Sequence, residues 1–276
     1  MRKFNNKSEK LLTTNSVKVI IESNNNHEVV LRKVNGVSME FVKVPRSLIY
    51  NKRLGDKRIL AYTSLLFHNW ESKKCDVQEL ALYCGYSLSR KNSDADLQFL
   101  NIFQELSLER YITIYNPAQK VFAFSFETPT KSFGIIYSSE FTKILEYRKK
   151  QKENGRRVNH AHLLLLLSYI RLNMQKMKNK PVMHFSLLKT ISENTNMSVR
   201  SITSALKILE ELQIIHSEEL PRYKDVNGNW HSNVKVFVNM KYCSFFETIN
   251  TNYDWKIETE RSINSIISIQ RDYIGG

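Results

Sequence analysis

The chain has 276 residues, and its 41 Lys and Arg against 27 Asp and Glu leave a net charge of +14. An excess of that size favours a polyanionic partner through release of condensed counterions, and it points to nucleic acid. No apolar run approaches the ~20 residues that cross a bilayer, because the leucine run at 163–167 meets Ser168 and then Arg171, so no membrane partner is expected.

Residues 1–16 are basic and polar, without the apolar stretch and small-residue cleavage site of a secretory signal, and they read as a flexible basic arm of a cytoplasmic protein. Cys75, Cys84 and Cys243 form no CxxC pair, which predicts reduced structural thiols and no metal site. Three alternating segments, 17–23, 27–34 and 38–44, are divided by Asn24-Asn25-Asn26 and Asn35-Gly36 and predict a small antiparallel meander that Pro45 ends. Helices are then expected over 56–70, 76–86 and about 93–108. In the first, Ile59, Leu60, Thr63, Leu66 and Phe67 fall at helical spacing, and Asp56 and Asp76 stand where N-caps belong. Residues 111–115 and 121–126 flank Asn116-Pro117-Ala118-Gln119 and predict a hairpin. Three helices, the last two joined by a tight turn and followed by a hairpin, are the order of parts in a winged helix.

Next comes the densest basic stretch, 143–157, where Lys143, Arg148, Lys149, Lys150, Lys152, Arg156 and Arg157 face only Glu146 and Glu153. It reads as a basic connector, either a mobile linker or a charged helix end, with Gly155 breaking any helix. The same order of parts then recurs, with helices at 160–178, 185–194 and 198–213 and a hairpin over 214–240 turning at Asp225-Val226-Asn227-Gly228-Asn229. The expected fold class is α+β: two winged helix-turn-helix domains, 17–142 with the meander and 158–242, related by architecture rather than residue identity. A tail at 243–276 follows, in which Ile263, Ile266, Ile267 and Tyr273 predict a short amphipathic helix.

A recognition helix must bury one face on its partner helices while its N-terminal half offers small polar and basic side chains to the major groove. In SVRSITSALKILEEL, Val199, Ile202, Leu206, Leu209 and Leu212 advance by three or four and predict the buried stripe. Arg200, Ser204 and Lys207 then share the outer face, with Ser201 and Thr203 beside them and Ser198 as N-cap. Arg200 is the expected guanine reader, Ser201 or Thr203 the shorter contacts, and Glu210 and Glu211 sit at the far end. The hairpin adds Arg222 and Lys224 on one side and Trp230, His231 and Lys235 on the other, suited to phosphate or minor groove. Lys149, Lys150, Arg156 and Arg157 of the connector are expected on phosphates.

In the first half the third helix presents Asp94, Asp96, Gln98, Asn101 and Glu105 around a stripe of Leu97, Leu100, Phe103 and Leu106. Carboxylates repel phosphate, so this helix is expected either to touch DNA through Gln98 and Asn101, with Arg90 and Lys91 on the backbone, or to serve dimerisation or partner binding.

The segment FVKVPRSLIYNKRLGDKRILAYTSLLFHNW, at 41–70, resembles the opening of winged-helix domains in replication initiators and replisome organisers of Gram-positive plasmids and phages, a likeness of pattern covering about residues 41–126. Two consecutive winged helices with a basic connector also resemble the iteron-binding plasmid initiators, in which both units contact a repeated origin sequence and a dimer-to-monomer change often regulates activity. The resemblance implies origin binding by a protein that contacts double-stranded DNA and host replication proteins, with a possible homodimer. A winged-helix transcriptional regulator is the alternative.

His160-Ala161-His162 matches the His-hydrophobe-His pattern of rolling-circle nicking enzymes, but the leucine run after it predicts a helix, on which residues i and i+2 do not share a face. Tyr169, Tyr223 and Tyr242 are nominal nucleophiles among 13 tyrosines. No GxxxxGK[ST] loop or dinucleotide fingerprint occurs, and the paired carboxylates Asp94/Asp96, Glu210/Glu211 and Glu218/Glu219 read as solvated. No cofactor and no catalytic set are expected.

Overall fold

The computed structural model describes residues 39–69, 72–86, 95–116, 119–154, 158–174 and 183–219, and the strand segments 223–224, 230–231 and 234–239. The chain divides into residues 1–39 and 40–276, and every helix and strand described belongs to the second unit.

Strand β1 (Phe41–Pro45) buries Val42 and Val44 and turns Phe41 and Lys43 outward, the period of two that a half-buried strand requires. Pro45 leads into the short helix α1 (Arg46–Tyr50), a 3-10 turn (Lys52–Leu54) and Gly55 at φ 68. Arg58 opens α2 (Arg58–Asn69) fully buried, and its guanidinium donates to the carbonyls of Leu48, Ile49 and Gly55. One side chain thereby satisfies three carbonyls that the bend between α1 and α2 would otherwise strand. Strand β2 (Lys74–Asp76), α3 (Val77–Tyr83), α4 (Ala95–Leu108), β3 (Thr113–Tyr115) and β4 (Val121–Ser125) complete this part as a three-stranded antiparallel sheet in the order β2-β4-β3 with its helices.

Strand β5 (Phe133–Tyr137) then runs antiparallel to β1, Phe41 opposite Tyr137. The third segment of the expected meander is therefore a strand, but its partner is β5, a segment with no turn joining it to β1. Residues 17–23 and 27–34 lie outside the described residues. The basic stretch forms the end of a helix, α5 (Ser138–Glu153), which buries Glu140, Phe141 and Ile144. Helix α6 (His160–Asn173) opens the second half, followed by β6 (Met183–Leu187), α7 (Leu188–Thr195), α8 (Val199–Glu211), β7 (Ile215–Glu219), β8 (Tyr223–Lys224), β9 (Trp230–His231) and β10 (Val234–Asn239). Its sheet has the order β6-β10-β7, with β8 and β9 paired further along the same hairpin. With the β8–β9 pair set aside, both halves contain the order helix, strand, helix, helix, strand, strand, and in both the last of these strands lies in the middle of a three-stranded sheet. The protein is a mixed α+β fold with small antiparallel sheets.

Two expected boundaries move. Residues 185–187 are strand rather than helix, because pairing with Val234–Val236 of β10 captures them. Helix α6 ends at Asn173 rather than 178. Most of the expected tight turn between α3 and α4, residues 87–94, lies outside the described residues. Asp76 caps α3, accepting from the N–H groups of Gln78 and Glu79. Asp56 instead turns its carboxylate to His162 Nε2 at 3.0 Å and Asn159 Nδ2 at 3.3 Å, bonds that hold its pKa down near 2.

Helix α6 is buried from His160 to Arg171 except at His162. It packs against α1, α2, β5 and α5 on one hand and β6, α7 and α8 on the other. Two of its polar side chains, Ser168 and Arg171, find hydrogen-bond acceptors within the core. Ser168 Oγ donates to the Leu164 carbonyl at 2.8 Å, and Arg171 donates twice to the Glu140 carboxylate at 2.5 Å and once to the Ile135 carbonyl at 2.9 Å. Gly134 of β5 approaches so closely that a Cβ there would run into the Ser168 carbonyl. Gly134→Ala is expected to lower folding stability by about 1–3 kcal/mol, read as an earlier midpoint in urea unfolding.

Two imidazoles are taken up in the packing around α6, His160 fully and His184 for the most part. Burial depresses His184 from 6.5 to about 4, and burial, with Arg148 and Lys57 nearby, holds His160 well below its ordinary value. Both are therefore neutral in the folded chain, whereas the unfolded chain takes up protons at these positions as pH falls below about 6.5. Stability from this source is complete above that pH and drains away toward about 4. Thermal melts between pH 7.5 and 4.5 should show a falling midpoint, and His184→Gln should flatten the fall.

Candidate nucleic-acid interface

Helix α8 is specified almost entirely by its own sequence. Ser198, in extended backbone, accepts from the Ser201 N–H at 3.1 Å and so caps the first turn. Ile202, Ala205, Leu206 and Leu209 form the buried face. Val199, expected to head that stripe, is 45% exposed, and Met197, at 3%, is buried in its place. Met197 and Ile202 occupy the two positions of a hydrophobic staple, which fixes the angle at which the chain enters the helix.

The entry turn is held from several sides. Asn196 takes a left-handed conformation at φ 62, the Thr195 hydroxyl donates to the Ile191 carbonyl and accepts from the Met197 N–H, and Ser192 Oγ donates to the Met197 carbonyl at 2.6 Å. Arg200, Ser204 and Lys207 are exposed on the opposite face of α8. Among the described residues no carboxylate lies within ion-pair distance of Arg200 or Lys207. Ser201 and Thr203 differ from them. The Ser201 and Ser198 hydroxyls lie 2.9 Å apart, and Thr203 Oγ1 donates to the Val199 carbonyl at 2.9 Å.

Glu210 and Glu211, expected to be solvated at the far end, have structural partners. Glu210 accepts from both the N–H and the hydroxyl of Ser217, joining α8 to β7, and Glu211 accepts from Tyr147 of α5 at 2.8 Å. Tyr147 thus holds the end of α8 that is remote from Arg200, roughly 16 Å along the helix. Its neighbours Lys149 and Lys150 are exposed, and Arg148 turns inward to donate to the Cys84 carbonyl and stack on Tyr86. Lys235 sits within β10, half-buried, opposite Ser186 and Glu219, rather than on a hairpin tip. Arg90, Lys91, Arg156, Arg157 and Arg222 lie outside the described residues, as does the side chain of Lys224.

In the first half, Gln98 and Asn101 are exposed on α4, and so is Leu97, at 50%, where the expected stripe placed it inside. Phe99 takes its place in the core. One carboxylate of α4 is offset by a cation: Asp96 accepts from Lys120 Nζ at 2.7 Å, which lowers its pKa, and Glu109, just past the end of the helix, lies 3.8 Å from Arg53. Lys57 Nζ donates to Gln98 Oε1 at 2.6 Å. These cations come from segments well away from α4 in sequence, which hid them from a reading of the helix alone.

His160 and His162 lie on α6, the first buried and the second paired with Asp56. Among the described residues no cluster of three or more His, Cys, Asp or Glu side chains is arranged to hold a metal ion. No helix among them is long and apolar enough to cross a membrane. Compared with known proteins, the sequence matches no family model and no curated relative.

The Glu210 bonds carry a testable consequence for the hairpin. Glu210→Ala should leave α8 folded but cost about 1 kcal/mol and speed hydrogen exchange at the Ser217 amide selectively, as read by NMR.

Proposed function

We propose that this chain is a sequence-specific double-stranded DNA-binding protein built from two winged helices, with α8 as its reader, and that it acts as a plasmid or phage replication initiator. The observation that carries the reading is the outer face of α8. It offers an arginine and a lysine that no carboxylate among the described residues pairs with, and a serine between them, on a helix capped and seated by everything around it. A helix about 10–12 Å across fits the major groove, where Arg200 meets guanine N7 and O6 through its two-pronged guanidinium. Ser204 and Lys207, further along the same face, meet a base edge and a phosphate.

The repeated order of elements, with the last strand central in each sheet, and the net charge of +14 support the same reading. The first half contributes through Gln98 and Asn101, because Lys120 offsets the Asp96 carboxylate on the same helix. Recruitment of host replication proteins and pairing with a second copy belong to the initiator reading through the family resemblance.

Selection of bound duplexes from random DNA tests this directly. Direct repeats of one short word support an initiator, a single inverted repeat makes the protein an operator-binding regulator, and no enrichment ends the DNA reading. Against the selected site, Arg200→Ala should cost about 1–3 kcal/mol and relax the choice of base at one position, while leaving affinity for unrelated DNA nearly unchanged.

A further inference from the structure

A shallow cleft of about 620 Å³ lies where the two halves meet, lined by Arg46, Ser47 and Tyr50 of the first half and Asn194 of the second. Two of its lining residues, Tyr50 and Asn194, belong to a polar network. Asn194 Nδ2 donates to the Tyr169 hydroxyl at 3.1 Å, the Tyr50 hydroxyl and the Asn173 side chain lie 3.3–3.4 Å apart, and the Tyr50 and Tyr169 rings meet edge to face at 5.8 Å. Above it Arg46 and Ser47 are exposed. The Arg46 guanidinium stands 5.4 Å over the Tyr50 ring, its backbone N–H is fixed to the Ser132 carbonyl, and among the described residues no carboxylate pairs with it.

The position of the cleft gives that cation a use. Asn194 belongs to the last turn of α7, and the chain from it to Ser198, the cap of α8, spans at most about 14 Å. Arg46, from the other half of the molecule, therefore shares the cleft with the C-terminal turn of α7, which leads over that short span into the end of α8 that carries Arg200. Lys149 and Lys150, by contrast, neighbour the Tyr147 that holds the far end of α8.

Resting on the reading of α8 as the DNA reader, we infer that the cleft of Arg46, Ser47, Tyr50 and Asn194 is a seat for the DNA sugar-phosphate backbone flanking the groove that α8 enters. Arg46 is the phosphate ligand there, stacked on Tyr50 and so held in place before DNA arrives. Ser47 and Asn194 offer neutral polar groups to the adjoining backbone oxygens. Such a contact carries no base information. It sets how far α8 sits in the groove and adds one counterion to those released on binding.

Fluorescence anisotropy on the full chain, with the selected duplex and an unrelated one across a potassium chloride series, tests the inference. Arg46→Ala should weaken both duplexes by the same factor, about tenfold, and lower the slope of log affinity against log salt by about one. Arg46→Lys should keep the slope, and Ser47→Asp should weaken both duplexes through repulsion. Arg46→Ala binding with wild-type affinity and slope overturns the inference, as does a loss confined to the selected sequence. A wild-type chain that binds neither duplex fails at the earlier step, the DNA reading itself.

Discussion

A helix buried on all sides leaves its neighbours little freedom, and α6 is such a helix. Its leucines satisfy the hydrophobic effect in every direction, so elements of both halves close on it and share one core. The ends of the helix carry the polar ties. Near its start, Asp56 reaches His162 and Asn159, and Tyr86 lies against His160; near its finish, Arg171 grips Glu140 and Asn173 meets Tyr50. An ion pair buried as deeply as Arg171 and Glu140 is costly to break on one side only, because the partner is left charged in an apolar place. The halves are thus tied at both ends of one rod.

The surface of α8 inherits its precision from that arrangement. Its inner face is seated on α6, its entry turn is bonded through Ser192 and Thr195, and its exit is fastened to β7 by Glu210 and to α5 by Glu211. A contact surface held this way reaches a partner with little conformational entropy left to lose.

Much of this was legible in the sequence where the determinants are local. The cap at Ser198, the stripe of Ile202, Leu206 and Leu209, the cap at Asp76 and the helical character of the His-Ala-His segment all follow from residues within a turn or two. What escaped depends on distant partners. Strands β2, β5 and β6 are short, and each is a strand because another segment pairs with it: β5 with β1, β6 with β10 and β2 with β4. The same holds for charge. Asp96 reads as a deterrent to phosphate on its own helix, and the cation that offsets it, Lys120, comes from the connection between β3 and β4. Arg46 gave no signal, because its value lies in standing next to Asn194, and nothing in periodicity or composition connects the two.

The hydroxyls on α8 bear on how much the protein can recognise. With Ser201 turned to Ser198 and Thr203 to Val199, the face retains Arg200 and Ser204 for bases and Lys207 for a phosphate if α8 reads DNA. At roughly one base pair apiece, the two would spell a word of about two letters, which chance supplies about once in every 16 positions. So short a vocabulary does not mark one address in a long duplex. On the DNA reading, uniqueness has to come from grammar: the word written several times at regular intervals, or joined to a second word read by α4 at a distance that the shared core makes invariant.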